Sequence, residues 1–350
     1  MGICVLLDGL MLGTASGGDA TYILGLAQEL LNDSRFVPIM AVTKNGESIV
    51  KNERIPYVLA KGSRVWGPIT LGIIARKIKA DIIHTQYFPI LKTRIPVVTT
   101  VHDLGFVEYS SSFSFFQKAK LGLAVKLSLR KARVIITVSR QSMESVKKFS
   151  PAFKDKVICV PNGVQAVTED FTENLECDKS WPKDYVLWIG NTEPRKNLDK
   201  FLAAYEKALP AWPDLKLYAV GSIVLTDVAK IQKSGGSYLG RVDKNLLTCL
   251  ISCARVVAYP SLFEGFGLPA LEAVACGVPA LVHQNSPLTD YISKGIITVD
   301  CRDVQEMTKG IILCKLLPWT PSEIRNEAKR LSRDRFGTHT MMVYERIMKQ

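Results

Sequence analysis

Long hydrophobic runs are absent from this 350-residue sequence. No apolar stretch reaches the roughly 18 residues that cross a bilayer as a helix, so a membrane-spanning chain is not expected. The opening MGICVLLDGL lacks the basic start of a secretory leader and is typical of a buried first strand. The eight cysteines form no C-x-x-C pair and only four histidines occur, so zinc-site spacing is missing as well. We therefore expect a cytoplasmic protein without a structural metal.

Standard phosphate and cofactor motifs are also missing. The sequence has no G-x-x-x-x-G-K-[ST] loop and no G-x-G-x-x-G after a strand, which argues against a P-loop enzyme and against NAD binding. It has no G-x-S-x-G elbow. No D-x-D pair occurs, so no compact acidic site for Mg²⁺ or Mn²⁺ on a sugar diphosphate is expected. A bound phosphate must then be neutralised by backbone amides, helix ends and basic side chains.

The composition that remains is that of a soluble globular protein. Hydrophobic residues make up 47% of the chain, charged residues 22%, and the formal net charge is +12. The length suggests about two domains. Runs rich in Val and Ile alternate with amphipathic stretches of helical length, which predicts parallel sheets covered by helices on both faces. The fold class is therefore α/β.

Two such alternations can be followed along the chain. The predicted strands are 3–8, 36–43, 55–60, 81–85, 96–102, 133–139, 156–161, 185–190, 215–221, 254–260, 279–283 and 295–300. The predicted helices are 18–32, 68–79, 115–131, 140–149, 197–209, 225–233, 244–253, 268–276, 304–316 and 322–349.

The segment between the two series of alternating strands and helices is acidic and shows no hydrophobic periodicity, which indicates a linker. We therefore predict a first domain over 1–165, a linker over 166–184, a second domain over 185–330, and a C-terminal helical part, 331–350, that could pack back on the first domain. Both domains are expected to be doubly wound and to face a cleft, with ligands beyond the carboxyl ends of the strands.

The most informative segment is 260–279, PSLFEGFGLPALEAVACGVP. It follows a predicted strand with a loop holding Gly265 and Gly267, and Pro269 then fits the first turn of a helix. The helix start offers unpaired N–H groups and a positive dipole end, which suit an anion such as a diphosphate. Glu264 and Glu272, eight positions apart, could meet two parts of one extended ligand. Two solvated glutamates beside a tightly packed turn are the alternative.

A basic pair, Arg195-Lys196, follows Gly190 at the end of the second domain's first strand. A guanidinium binds phosphate bidentately and an ammonium acts as a point charge, so together they could neutralise a leaving diphosphate. A solvated pair in a loop is the alternative. In the first domain, His102 ends a predicted strand, where it could hydrogen-bond a sugar hydroxyl, although a lone histidine is more often structural.

The segment 260–279 resembles the signature of the family 4 nucleotide-sugar glycosyltransferases, with its Glu-x7-Glu spacing. Further segments agree in order and spacing: VHDL at 101–104, ITVS at 136–139, VPNGV at 160–164, IGNTEPRKNL at 189–198 and VG at 220–221. The resemblance implies the GT-B architecture of two Rossmann-like domains and a retaining, metal-independent hexosyltransferase that needs no cofactor beyond its nucleoside diphosphate sugar.

The resemblance also implies roles for matching residues. Glu264, His102, Lys196 and Arg195 would be catalytic, although Asn191 stands where many relatives carry Arg, which makes Arg195 the replacement charge. The donor would contact Glu272 through its ribose, the backbone at Gly265, Phe266, Gly267 and Leu268, and further Gly190, Gly17, Gly18, Ser139, Arg241 and Val242. Asp103 could orient His102 or contact the acceptor. His84 is expected to be structural or on the acceptor side, and Ser139 to cap a helix as well.

The form G-x-x-E-P-R-K-N-L at 190–198 is similar to mannosyl- and rhamnosyltransferases of polysaccharide assembly, which favours GDP-mannose or another GDP-hexose. A UDP-glucose enzyme, a sugar phosphorylase of the same fold and a non-enzymatic saccharide-binding relative are the alternatives. The expected acceptor is a hydroxyl of a glycan or of a lipid-linked saccharide.

Positive charge is concentrated in 117–156, which holds eleven basic and two acidic residues, or +9 of the net +12. No nucleic-acid module occurs there, so nucleic acid is not an expected partner. The segment predicts either a solvated helix face or peripheral contact with an anionic membrane.

Overall fold

The computed structural model describes residues 2–13, 17–60, 67–91, 93–109, 113–165, 181–182 and 184–349. Most of the predicted linker, 166–184, therefore lies outside the described residues. The chain divides into two compact units, Met1–Gly163 with Arg333–Gln350, and Val164–Ser332. The sequence analysis predicted a first domain over 1–165, a linker over 166–184, a second domain over 185–330 and a C-terminal part over 331–350.

The first unit contains a parallel sheet of seven strands in the order β3-β2-β1-β4-β5-β6-β7. These strands are β1 Ile3–Asp8, β2 Phe36–Val42, β3 Tyr57–Leu59, β4 Ile82–Gln86, β5 Val97–Val101, β6 Val134–Thr137 and β7 Val157–Cys159. Its helices before the second unit are α1 Gly18–Leu31, α2 Glu47–Asn52, α3 Gly67–Lys77, α4 Gly105–Glu108, α5 Phe115–Lys131 and α6 Arg140–Phe149.

The second unit contains a parallel sheet of six strands in the order β10-β9-β8-β11-β12-β13. These strands are β8 Tyr185–Asn191, β9 Lys216–Ser222, β10 Ser237–Tyr238, β11 Val256–Tyr259, β12 Ala280–His283 and β13 Ile296–Val299. Its helices are α7 Leu198–Ala208, α8 Leu225–Lys233, α9 Lys244–Cys253, α10 Leu268–Ala275, α11 Val304–Leu313 and α12 Pro321–Ala328. The chain ends in α13 Arg333–Met348, which belongs to the first unit.

The predicted α/β class is confirmed in both units. The central strands β4, β5, β8 and β11 are buried over most of their length, as expected of parallel strands covered on both faces. β4 and β5 also bury polar side chains, among them His84, Gln86 and Thr100. In the second unit the aromatic side chains of Trp188, Phe201 and Trp212 fill the core between the sheet and α7. Burial of this apolar surface is the main force that holds each sheet to its helices.

The predicted helix 322–349 is wrong in one respect, because it is two helices separated by residues 329–332. Ser332 has an extended backbone and pairs with Val164 in a short parallel bridge, and the Val164 N–H donates to the Leu331 carbonyl at 2.9 Å. The chain leaves the second unit at this point. The following helix, α13, packs against α1 in the first unit.

Three short elements of the structure were absent from the predicted set: β10, α2 and α4. Each has six residues or fewer, too few to establish a period in the sequence. Within the described residues, no helix combines the length and the low polarity that a bilayer crossing requires.

Candidate active site

Two neighbouring strands of the second sheet carry the loops that hold the predicted chemistry. Strand β8 leads into a 3₁₀ turn, Pro194–Lys196, before α7, and β11 leads into residues 260–267 before α10. Since β8 and β11 are paired in the sheet, their carboxyl ends and the two loops lie side by side. The Leu262 N–H donates to the Arg195 carbonyl at 2.8 Å, which ties one loop to the other.

Lys196 and Glu264 meet between these loops. The Lys196 ammonium donates to Oε1 of Glu264 at 2.5 Å and to the Tyr259 hydroxyl at 2.7 Å. The side chains of Lys196 and Glu264 are only 10% and 14% exposed. A buried ion pair of this kind requires that both partners keep their hydrogen bonds, because either charge alone would be poorly solvated.

Arg195 reaches the same carboxylate oxygen. Its Nη1 donates to Oε1 of Glu264 at 2.6 Å and to the Phe263 carbonyl at 3.1 Å, while its Nε donates to Glu193 at 2.6 Å. The guanidinium is therefore fixed against the loop that presents Glu264. The structure thus brings together three of the four predicted catalytic residues, Glu264, Lys196 and Arg195.

Burial and ion pairing shift the pKa values of Glu264 and Lys196 in opposite directions. Burial raises the pKa of the Glu264 carboxyl, but the nearby Lys196 and Arg195 outweigh it and hold the pKa below its usual value. Burial lowers the pKa of the Lys196 ammonium, and Glu264 opposes that effect. Burial also raises the pKa of the Tyr259 hydroxyl far above its usual value, with a further contribution from Glu264. Glu264 is accordingly ionised and Tyr259 neutral at physiological pH.

The turn into α10 has the form that the sequence predicted. Gly267 caps the helix with φ at +99°, a conformation that side chains other than glycine rarely adopt. Residues 265–268 are buried, and α10 begins at Leu268 with Pro269 in its first turn. The unpaired N–H groups of a helix start, together with its positive dipole end, favour an anion at this place. Glu272 is half-buried on the same helix.

The other residues predicted to contact the donor in the second unit lie at nearby strand ends. A Cβ on Gly190 would collide with the Trp188 ring, so this glycine is needed for packing whatever else it contacts. The Gly221 N–H donates to the Gly240 carbonyl at 3.0 Å, which places the loop with Arg241 and Val242 at the end of β9. Arg241 is exposed and Val242 is half-buried.

His102 directly follows β5 in the first unit. Its Nε2 lies 2.7 Å from Oε1 of Gln86 and 3.7 Å from the carboxylate of Asp19. The Tyr22 ring meets the imidazole edge-on at 4.8 Å. Asp103 turns back on its own loop, because its carboxylate accepts from the Gly105 N–H at 2.8 Å. The histidine is thus held by polar and aromatic neighbours at the carboxyl end of the sheet.

Gly17 and Gly18 open α1 and are exposed, whereas residues 14–16 of the same loop lie outside the described residues. Ser139 is fully buried, and its hydroxyl accepts from the Ser142 N–H at 3.0 Å to cap α6. The predicted cap is therefore present, and the hydroxyl of Ser139 is committed to it. Ser142 in turn donates to the His102 carbonyl at 2.7 Å, which links this cap to the histidine's backbone.

His84 has a structural place. It is fully buried, and its ring nitrogens hydrogen-bond the hydroxyls of Tyr344 at 2.5 Å and Thr100 at 2.7 Å. Burial lowers the pKa of His84 to about 3, with a further contribution from His102, so the ring is neutral. Since Tyr344 lies on α13, His84 fastens the last helix to the first sheet.

Sequence reasoning missed two polar residues next to the predicted ones. Tyr259 and Gln86 are the last residues of β11 and β4, and both hydrogen-bond a predicted catalytic side chain. For Tyr259 the available signal was a polar residue at the carboxyl end of an otherwise apolar strand, whereas Gln86 follows the polar His84 and Thr85 in its strand and does not stand out. Within the described residues, no group of three or more His, Cys, Asp or Glu side chains is arranged to hold a metal ion.

Comparison with known families gives two matches that together span most of the chain. The model described as Glycosyltransferase Family 4 matches residues 16–166, and the model described as Glycosyl transferases group 1 matches residues 178–331.

Similar characterised proteins include three mannosyltransferases. O-antigen chain mannosyltransferase B of Escherichia coli is 27% identical over 273 residues, 73% of this chain and 70% of that protein. O-antigen chain mannosyltransferase RfbU of Salmonella typhimurium is 28% identical over 247 residues, 67% of this chain and 65% of that protein. Serotype-specific mannosyltransferase WbdA of Escherichia coli is 26% identical over 232 residues, 61% of this chain. The chain thus spans about two thirds of the first two relatives and 27% of the third.

Solved structures share the whole fold at low identity. Sucrose-phosphate synthase from Thermosynechococcus elongatus superimposes with a TM-score of 0.78 at 18% identity, covering 99% of each chain. Anabaena HepE in complex with UDP and glucose gives a TM-score of 0.77 at 16% identity, covering 98% of this chain and 99% of that one. These likenesses establish the architecture of two parallel-sheet domains.

Proposed function

The chain belongs to the family 4 glycosyltransferases of the GT-B fold, and we propose that it transfers a mannosyl unit from GDP-mannose, or another GDP-hexose, to a hydroxyl of a glycan or lipid-linked saccharide. The observation that carries the proposal is the contact of Lys196 and Arg195 with one oxygen of Glu264 at the carboxyl end of the second sheet. The O-antigen mannosyltransferases at 27% and 28% identity support the sugar.

The two cations supply the charge that a leaving diphosphate needs. On donor binding, we propose that Lys196 and Arg195 also donate to the diphosphate oxygens while they stay paired with Glu264, with Arg195 providing the charge that Asn191 does not. The amides of residues 265–268 and the start of α10 contact the same anion. Glu272 accepts from the ribose hydroxyls, since a carboxylate can accept two hydrogen bonds at once. The backbone of Gly190 and the loop with Arg241 and Val242 flank the nucleotide.

Glu264 then acts on the sugar. As the bond between C1 and the diphosphate oxygen breaks, its electron pair goes to the phosphate and positive charge develops at C1 and the ring oxygen. An ionised carboxylate held in a fixed position stabilises that charge. The acceptor oxygen bonds to C1 on the face that the diphosphate leaves, and its proton goes to the departing phosphate oxygen. The anomeric configuration is retained, and no metal ion is required.

In the first unit, we propose that His102 hydrogen-bonds a hydroxyl of the transferred sugar and that Asp103 lies on the acceptor side. The exposed Gly17 and Gly18 at the start of α1 let a ligand approach the backbone closely. A face of α5 and α6 that is rich in lysine and arginine would hold the enzyme against an anionic membrane, where a lipid-linked acceptor would be found.

The experiment that tests this function is a thermal-shift screen of nucleotides, followed by donor hydrolysis. We expect GDP to raise the melting temperature more than UDP or ADP at equal concentration, because a ligand that binds only the folded state stabilises it. GDP-mannose should then be hydrolysed faster than UDP-glucose, and transfer to a mannoside acceptor should give the anomer of the donor. A response to UDP alone would favour the glucosyltransferase alternative, and a response to sugar 1-phosphate without any nucleotide would indicate a phosphorylase.

A further inference from the structure

Four polar side chains form two diagonal pairs on one face of β4 and β5. The strands are parallel, with His84 opposite Val98 and Gln86 opposite Thr100. Because side chains alternate between faces, His84 and Gln86 share a face with Thr100 and His102. His84 Nε2 lies 2.7 Å from the Thr100 hydroxyl, and His102 Nε2 lies 2.7 Å from Oε1 of Gln86. The second pair repeats the first, two residues nearer the carboxyl end.

The second pair fixes which ring nitrogen of His102 carries a proton. The side-chain amide of Gln86 donates from Nε2 to the Asp8 carbonyl at 3.5 Å. A carbonyl can only accept, so the NH₂ end of the amide must face Asp8 and its oxygen must face His102. That oxygen can only accept as well. His102 must therefore donate from Nε2, which makes Nδ1 the hydrogen-bond acceptor of the neutral ring.

The surroundings keep this arrangement rigid. Gln86 and His102 are 3% and 6% exposed. The Tyr22 ring stands edge-on to the imidazole, and the Tyr87 ring lies 5.6 Å away on another side. Within the described residues, no hydrogen bond to His102 Nδ1 occurs. The carboxylate of Asp19, 3.7 Å from Nε2, is too distant to replace Gln86 as the hydrogen-bond acceptor.

We infer that Gln86 is a positioning residue that keeps the proton of His102 on Nε2, so that Nδ1 accepts a hydrogen bond from a hydroxyl of the substrate. The inference rests on the proposed role of His102 in binding the sugar. Glutamine suits this task because its amide cannot ionise. A carboxylate at the same place would also accept from Nε2, but it would place a second negative charge beside Asp19.

The ring protons of a histidine can be followed directly by NMR, and this chain has only four histidines. We would label the full-length chain with ¹⁵N-histidine, work in alkaline buffer where the imidazole is neutral, and assign the His102 signals by their loss in His102→Asn. In the wild type we expect the proton on Nε2, protected from exchange with water and shifted downfield by its hydrogen bond to Gln86.

Two variants separate positioning from general support of the fold. Gln86→Leu should remove the protected Nε2–H signal, whereas Gln86→Glu, which still accepts, should restore it. Thr85→Val is the matched control, since Thr85 is equally buried on the same strand but bonds Thr99 and the Phe88 carbonyl instead. It should keep the His102 signal. A wild-type ring protonated on Nδ1, or an unchanged signal in Gln86→Leu, would overturn the inference.

Kinetics provide the second readout. Gln86→Leu should lower kcat for mannosyl transfer about tenfold or more, with GDP affinity unchanged, and Gln86→Glu should recover part of that loss. Equal kcat values in the wild type and Gln86→Leu would contradict the role of Nδ1 even if the NMR signal is lost. If the wild type transfers no mannose while the NMR results hold, the proposed function fails and the positioning of His102 by Gln86 stands.

Discussion

At the scale of single residues, Glu264 is the side chain on which the proposed chemistry depends most. Glu264→Gln keeps the size of the side chain and an oxygen that can accept from Lys196, but it removes the negative charge. Because that charge is expected to stabilise the transition state, kcat for transfer should fall about 10²- to 10³-fold, while GDP affinity changes only several-fold. Steady-state kinetics and nucleotide titration measure the two effects.

Glu193→Gln is the matched control for that variant. Glu193 also accepts from Arg195, at 2.6 Å, but its side chain is 50% exposed. Its carbonyl accepts from the Lys196 backbone N–H at 2.9 Å, a contact that the substitution keeps, whereas the Lys196 ammonium donates to Glu264 and Tyr259. Its replacement should leave kcat near the wild-type value. If Glu264→Gln turned over at the wild-type rate, the carboxylate would have no part in catalysis.

Lys196 offers a second test at this scale. Lys196→Met retains most of the aliphatic chain but removes the ammonium that is expected to bind the diphosphate. A hydrogen bond to a charged group contributes about 1.5–3 kcal/mol, so the affinity for GDP should fall roughly tenfold to a hundredfold. Calorimetric titration with GDP measures the change.

The control for Lys196→Met is Lys200→Met. Lys200 lies in the first turn of α7, four residues after Lys196, is exposed, and donates to the Arg302 carbonyl at 2.7 Å. The Lys200→Met variant should bind GDP with the same affinity as the wild type. Equal GDP affinity in Lys196→Met and Lys200→Met would remove Lys196 from the diphosphate site.

How far the sequence predicts the site differs from residue to residue. Glu264, Arg195 and Lys196 could be placed together because their loops follow neighbouring strands and carry a recognisable motif. Tyr259 and Gln86 could not, because each ends a strand whose buried side chains are set by packing. Only the three-dimensional register shows that the hydroxyl of Tyr259 meets Lys196 and that the amide of Gln86 meets His102.

At the scale of elements, four helices have the limits that the sequence predicts: α5, α6, α8 and α9. Side-chain caps mark the start of three of them, at Ser114, Ser139 and Asp243, and the cap of α5 is a capping box that includes Gln117. The helix 322–349 failed for the opposite reason. Nothing in its local pattern reveals that residue 332 pairs with the distant Val164, because that contact exists only in the folded chain.

The turn into α10 allows an element-scale prediction. Gly267→Ala would force an alanine into a backbone with φ at +99°, although a Cβ there would meet no atom closer than 3.7 Å. Strain of about 1–2 kcal/mol should therefore lower the free energy of unfolding. The displaced helix start should also raise KM for the donor several-fold. Chemical denaturation and donor kinetics check the two effects.

Gly235→Ala separates backbone strain from the site. Gly235 has φ at +79° and no atom within 4 Å of a Cβ, and it follows α8 in the same unit. The Gly235→Ala variant should lose a comparable amount of unfolding free energy and keep the wild-type KM for the donor. If both alanine variants raised KM alike, the effect would come from general destabilisation and not from the start of α10.

At the scale of the whole molecule, the proposed reaction balances the diphosphate charge with protein groups alone. Transfer by the wild type should therefore proceed at its full rate in excess EDTA, since Lys196, Arg195 and the start of α10 neutralise the leaving group. Initial rates with EDTA, Mg²⁺ and Mn²⁺ test this at constant ionic strength. An absolute requirement for either ion would contradict the metal-free mechanism.

The basic segment of the first unit forms a surface with an apolar stripe. On α5, Phe116, Leu123 and Leu127 are spaced at i, i+7 and i+11 and are 82%, 62% and 38% exposed, so they share one helix face. Phe115 is 79% exposed beside them. The basic residues of 117–156 are Lys118, Lys120, Lys126, Arg130, Lys131, Arg133, Arg140, Lys147, Lys148, Lys154 and Lys156.

One of these basic residues, Lys156, has a structural role. Lys156 donates to the Ala132 carbonyl at 2.9 Å and so holds the end of α5. The stripe and the other basic residues together suit an anionic bilayer, because aromatic side chains can enter the interface while lysine and arginine meet the headgroups. Each basic residue near such a surface contributes about 1 kcal/mol, and salt screens that contribution.

We therefore expect the wild type to co-sediment with vesicles containing phosphatidylserine at low salt, and less so at high salt. Reversal of Lys118, Lys120, Arg130 and Lys131 to glutamate should abolish binding. Phe115→Ser with Phe116→Ser should weaken it while leaving its salt dependence in place. Hydrolysis of the donor in solution should barely change in either variant, because no residue of the proposed donor site is altered.

The second unit provides matched controls for both kinds of change. Leu225→Ser removes an apolar side chain that is 86% exposed, and Lys329→Glu with Arg330→Glu reverses two exposed basic residues. Both variants should bind vesicles like the wild type if α5 and its neighbours form the contact surface. Loss of binding in the Lys329→Glu, Arg330→Glu variant would show that net charge alone drives the association. Loss of binding in Leu225→Ser would show that an exposed apolar side chain outside α5 also contributes. If the wild type stays in solution with anionic vesicles even at low salt, the basic face is a solvated surface and the membrane proposal is wrong.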